Sequence, residues 1–174
     1  MLAEGHAGRR PNMFDDSLRV PFLVRWPGTI RAGTRVDAIV TNLDVFPTML
    51  ELVGLGSPEN LRLEGRSFAG WLRGEEAPYW DTTIYGQYDM HHGAIARMRM
   101  IRTPEWKLVR RLDEAGLDEL YDLKNDPGER SNLAYTPEFM DRAETMKLRL
   151  LVRMLELDDR SAADDPRDRR PGSP

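Results

Sequence analysis

The most regular pattern in the chain lies near its carboxy terminus, where Phe139, Ala143, Met146, Leu150, Met154 and Leu157 recur at helical spacing. This stripe predicts an amphipathic helix of about five turns. Thr136-Pro137-Glu138 supplies its start: a capping hydroxyl, a proline at the first helical position and an acid in the first turn. Met140, Leu148, Leu151 and Leu155 widen the apolar face, as expected of a helix laid on a sheet. Upstream, the runs 82–88, 96–102, 106–112 and 119–123 read as four strands separated by short turns, which predicts an antiparallel meander. Asn125-Asp126-Pro127-Gly128 closes the set with strong turn chemistry.

The amino-terminal half is less regular. Gly5, Gly8 and Pro11 break any period, so 1–17 reads as loop. The run LRVPFLVRW at 18–26 predicts a buried or half-buried strand, with Pro21 at an edge or bulge and Pro27-Gly28 as its turn. A second short apolar run occupies 36–40. A helix follows, with Asp44 as N-cap, Pro47 in its first turn and Gly54 just past its end. Val45, Met49 and Leu52 would form its inward face. Residues 55–80 read as a long connection with one helical turn at 67–72. From 159 onward the chain is charged, contains proline and is nearly free of apolar groups, which predicts disorder.

Composition narrows the chemistry. The 174 residues carry 25 Lys+Arg against 29 Asp+Glu, a net charge of −4, which argues against a dedicated nucleic-acid binder. There is no Cys, so disulfides, thiolate zinc sites and a thiol nucleophile are excluded. No apolar run approaches the ~18 residues needed to span a bilayer, and the first residues lack the apolar core of a secretory leader.

Three stretches, in this order, resemble the downstream half of type I sulfatases of the alkaline phosphatase superfamily. They are GHAGRRPNMFDDSLRVPFLVRWPG at 5–28, NLDVFPT at 42–48 running to Gly54 with Gly65-Arg66-Ser67-Phe68 after it, and RMIRTPEWKLV at 99–109 with ELYDLKNDPGERSNLA at 119–134. The last pair is similar to the small carboxy-terminal domain of sulfamidase-like and choline-sulfatase-like members. The resemblance implies an α/β fold, α+β in its carboxy-terminal part. Residues 1–56 would be the end of a mixed-sheet catalytic domain, 57–80 a connection, and 81–158 a small four-stranded antiparallel sheet with a packed terminal helix. Residues 159–174 would be a disordered tail.

The same resemblance implies sulfuric ester hydrolysis, with calcium or magnesium and a formylglycine residue as cofactors of the full-length enzyme. The formylglycine arises in a Cys/Ser-x-Pro-x-Arg motif, and none of Ser17, Ser57, Ser67, Ser131, Ser161 and Ser173 stands in one. The metal ligands of the family would lie upstream of Met1, so this chain is expected to hold neither cofactor and to be inactive alone. His6, Arg9 and Arg10 are the residues carried over as a remnant of the sulfate-binding edge. Asp15 and Asp16 read as a surface loop. His91 and His92 are candidates for substrate contact, although neighbours on a strand point to opposite faces and cannot share one ion without a kink. Arg97, Arg99, Arg102, Lys107, Arg110 and Arg111 read as the solvated face of the sheet, or else as a surface for sulfated polyanions. The partner implied is a sulfate ester, with neither nucleic acid nor membrane. The alternative to a hydrolase part is a stand-alone module that binds a protein partner or a sulfated polyanion.

Overall fold

The computed structural model describes residues 12–56, 58, 60–75, 79–91, 95–112 and 117–159. Two compact units divide the chain: Met1–Val20 with Thr83–Pro174, and Pro21–Thr82.

The first unit is built on four strands, β1 (Ile84–His91), β2 (Ile95–Arg102), β3 (Trp106–Arg111) and β4 (Glu119–Asp122), paired in the order β1-β2-β3-β4. All pairings are antiparallel, with Tyr85 opposite Ile101, Ile101 opposite Leu108, and Leu108 opposite Leu120. The meander and its order follow the sequence expectation. A 3-10 turn at Pro137–Phe139 leads into the last helix, Met140–Glu156.

Strand alternation sorts the side chains onto two faces. On one face Ile101, Leu108 and Leu120 meet Met146, Leu150 and Met154 of the last helix, all buried. Each such side chain contributes roughly 1.5–3 kcal/mol on burial. On the other face Met98, Met100 and Val109 form a second cluster with Met13. The amino-terminal segment therefore covers the face that the helix leaves open. Within that segment a single helical turn, Asp15–Leu18, follows Phe14, whose ring packs 5.9 Å from that of Tyr121.

Two expectations for this unit need correction. The basic stretch is not a solvated face: Arg99, Lys107 and Arg110 are among the most deeply buried side chains. Both faces of the sheet are covered, so alternation carries the cations under cover with their acids. The last helix is also narrower in its apolar contact than expected, because Met140, Leu148 and Leu155 remain exposed. The sheet is four strands wide and takes up only the stripe centred on Met146, Leu150 and Met154.

The second unit holds two helices, Asn42–Leu52 and Ala69–Arg73. Thr41 rather than Asp44 is the N-cap of the longer one; Asp44 sits at N3 and accepts the Thr41 amide at 2.7 Å. Its other oxygen accepts the amide of Arg66 at 2.8 Å, and the Thr48 hydroxyl accepts the amide of Phe68 at 3.0 Å. The buried face of this helix is thus Asp44, Pro47 and Thr48, while Val45 and Met49 are exposed, the reverse of the expected face. Gly54 stands past its end with φ 77, as its position predicts. Trp80 donates to the Ile39 carbonyl at 2.9 Å and lies under the Arg66 guanidinium, 4.2 Å from the ring centre.

The expected strand at 18–26 is absent. Residues 19–26 form neither helix nor strand, and Val20, Phe22, Leu23, Val24 and Trp26 are exposed, Leu23 at 93%. A strand needs a neighbour to receive its backbone groups, and no described strand lies beside this one.

Candidate functional site

The densest polar chemistry among the described residues is a buried ion cluster on the face that the amino-terminal segment covers. Strand β3 carries Lys107 and β2 carries Arg102, cross-strand partners in the ladder. The Lys107 ammonium donates to the Asp15 carboxylate, to Glu129 Oε1 at 2.6 Å and to the Met13 carbonyl at 3.0 Å. Arg102 adds a bond to Asp15 Oδ2 at 2.8 Å, and the Asp15 amide donates to Glu129 Oε2 at 2.6 Å. The three donors of the ammonium are all used, and Lys107 is fully buried. The turn at 125–128 delivers Glu129 to this place in a left-handed conformation, φ 51. Asp126 fixes that turn by accepting the amides of Arg130 and Ser131 at 2.7 and 2.9 Å.

Asp15 is therefore not part of a free surface loop. It anchors 12–18 on the sheet, while Asp16 stays exposed. Burial works against the charge on Asp15, but the hydrogen bonds from Arg102 and Lys107 outweigh it and hold the carboxyl below its usual range. Glu129 is pushed the other way, because its burial is not fully offset by Lys107.

A second cluster lies on the helix-covered face. Arg99 of β2 forks onto Asp89 of β1 at 2.7 and 3.0 Å and onto Asp159, just past the last helix. The Tyr85 hydroxyl donates to the same Asp159 at 2.5 Å. Burial disfavours the charge on Arg99, yet its bonds to Asp159 and Asp89 win and raise its pKa further. The Arg99 bond is in turn what draws Asp89 down. Burial, and then Asp159, push the Tyr85 phenol well above its usual value. Asp159 thus closes the domain.

A third feature is an open groove of about 440 Å³ in which the turn carrying Pro104 and Trp106 faces Arg142, Met146 and Arg149 of the last helix. The Arg142 guanidinium lies 5.1 Å from the centre of the Trp106 ring.

Of the residues singled out from sequence, His6, Arg9, Arg10 and His92 lie outside the described residues. His91 ends β1 in register with Ile95. The acids of both ion clusters escaped sequence reasoning. Only the alternation of basic residues within strands that are covered on both faces could have signalled them. Among the described residues no group of three or more His, Cys, Asp or Glu could hold a metal ion, and Asp15, Asp89, Glu129 and Asp159 are already engaged by cations. The described residues do not fit the divalent cation of the sulfatases.

A four-stranded antiparallel sheet with a helix packed on it defines the class: the small carboxy-terminal domain of sulfatases in the alkaline phosphatase superfamily. A Bacteroides thetaiotaomicron structure assigned to the sulfatases superposes with a TM-score of 0.79 at 29% identity, over 90% of this chain and 34% of its own. The model of the family "N-sulphoglucosamine sulphohydrolase, C-terminal" matches residues 7–156, and the chain belongs to that family. It is 35% identical over 134 residues to the Δ4,5-hexuronate-2-O-sulfatase of Bacteroides thetaiotaomicron, covering 74% of this chain and 27% of that enzyme. It is 33% identical over 164 residues to mouse arylsulfatase K, covering 87% and 28%. The matches thus cover 27% to 34% of the length of these three proteins.

Proposed function

We propose that this chain is the carboxy-terminal part of a sulfuric ester hydrolase whose substrates are sulfated saccharides, and that these residues alone do not turn over. The substrate class is supported by the relative named for a 2-O-sulfated hexuronate, which this chain resembles at 35% identity. The observation that carries the reading of a part is the exposure of Phe22, Leu23, Val24 and Trp26 in a segment without helix or strand. Exposed apolar side chains in a run of this length mark a surface that another element covers. On this reading the missing element is the edge of a sheet in the catalytic domain, of which residues 1–56 are the end.

The formylglycine and the calcium or magnesium of the sulfatases would come from an upstream segment, since this chain contains no Cys/Ser-x-Pro-x-Arg motif and no group of three or more of its described His, Asp and Glu could hold a metal ion. When bound, such a cation neutralises charge on the ester oxygens. His6, Arg9 and Arg10 are then the part of the sulfate-facing edge that this chain supplies, since guanidinium groups match sulfate oxygens by paired hydrogen bonds. The clamp of Asp15 onto Lys107 and Arg102 stands five residues after Arg10 in the chain. His91 and His92, at the end of β1 and beyond it, stand as substrate-contact residues of the small domain.

A stand-alone module would need the basic stretch of β2 and β3 as its surface for a sulfated polyanion. The burial of Arg99, Lys107 and Arg110 against acids removes the main support for that surface. The DNA upstream of the Met1 codon tests the proposal. An in-frame extension encoding Cys/Ser-x-Pro-x-Arg is the expected result, and an immediate stop codon would count against it.

A further inference from the structure

We propose that the groove between Trp106 and the last helix is a binding site for a sulfated saccharide carrying at least two anionic groups. Its arginines differ from the cations of the sheet. Arg99, Arg102, Lys107, Arg110 and Arg111 all face carboxylates within 3.6 Å. Among the described residues Arg142 and Arg149 face no carboxylate: the first rests over the Trp106 ring, and the second meets the Thr83 hydroxyl at 3.4 Å. Stacking on an indole orients a guanidinium without neutralising it. The one acid in the groove lining, Glu105, faces Lys124 at 3.5 Å. The groove therefore presents two exposed arginines that no described carboxylate neutralises.

Spacing and shape select the ligand. Arg142 and Arg149 are seven residues apart on one helix, two turns, so they share a face with about 10 Å between them along the axis. Their guanidinium groups rest on different partners, Arg142 over the Trp106 ring and Arg149 at the Thr83 hydroxyl. Two anionic groups on a rigid frame meet both arginines at once. Pro104 and Trp106 add apolar surface to the groove lining. Nucleic acid would need a longer basic track than two cations on a chain of net charge −4. The groove's charge stands independently; the choice of a saccharide as the frame rests on the substrate class proposed above.

Titration calorimetry on the purified 174-residue chain with a size-fractionated heparin tetrasaccharide tests this without any turnover. Saturable binding is expected, weakened about tenfold or more by Arg142→Gln and by Arg149→Gln, and unchanged by Arg130→Gln at an exposed site elsewhere. Binding should also alter the tryptophan fluorescence, and Trp106→Phe should remove that change. Equal affinity for an oligoglutamate of the same charge would overturn the saccharide assignment. Absence of binding, or equal loss in the Arg130 variant, would overturn the site. A stop codon upstream of Met1 would leave the binding result untouched, so failure of the hydrolase reading is told apart from failure of this one.

Discussion

Lys107 and Glu129 meet at 2.6 Å with both side chains buried, and Asp15 closes on the same ammonium from a segment 92 residues earlier. This junction ties the amino-terminal segment, the central strand and the 125–129 turn into one unit. Breaking a buried pair by removing one partner costs far more than replacing the pair outright, because the orphaned charge stays buried.

Lys107→Met should therefore destabilise the chain by about 3–5 kcal/mol, measured by urea unfolding. It leaves Asp15 and Glu129 together without their shared cation. The double variant Lys107→Met/Glu129→Met should lose less than Lys107→Met alone. A larger loss in the double variant would mean that the cluster acts through packing rather than charge.

Acid should act on the two carboxylate types with opposite sign. Asp15 and Asp89 have folded values below their ordinary 3.8. Their stabilisation is complete above 3.8 and disappears as pH falls through the lower folded values. Glu129 has a folded value above 4.5, so the folded state takes up that proton first and gains stability as pH falls across the interval. In urea midpoints measured against pH, Asp15→Asn should flatten the loss below 3.8, and Glu129→Gln should remove the gain just above 4.5.

Tyr85 reports on the end of the chain. Its phenol is held protonated by burial and by its bond to Asp159. In an ultraviolet pH titration it should ionise well above the ordinary phenol value of 10.0. Asp159→Ala should bring it down and cost roughly 1.5–3 kcal/mol through the lost charge-assisted bonds of Arg99.

Gly65 allows the loop of the second unit to pass over the start of its longer helix. A Cβ there would lie 1.9 Å from the Leu43 carbonyl oxygen. Gly65→Ala should push the loop away, break the bond from the Arg66 amide to Asp44 and destabilise that unit by about 1–3 kcal/mol. Faster hydrogen exchange at the Arg66 amide is the local signature.

The parts legible in sequence are those whose order is local. The four strands and the last helix announce themselves by alternation and by the Met146, Leu150, Met154 stripe, because each packs on a neighbour within the described chain. The segment 18–26 carries an equally strong apolar signal and forms no strand, since a ladder needs a partner that is not among the described residues. The ion clusters were unreadable for a different reason. Arg102 and Lys107 look like surface cations until Asp15, 87 and 92 residues away, folds onto them. The proposed site was legible only as a family resemblance at His6, Arg9 and Arg10, and the anchor five residues further on emerged from the fold.

The most direct test of the central claim is hydrolysis of an aryl sulfate by the purified chain in the presence of calcium. No saturable turnover is predicted for the chain alone, and turnover is predicted when it is joined to its own upstream segment carrying Cys/Ser-x-Pro-x-Arg. Saturable hydrolysis by these 174 residues alone would contradict the account.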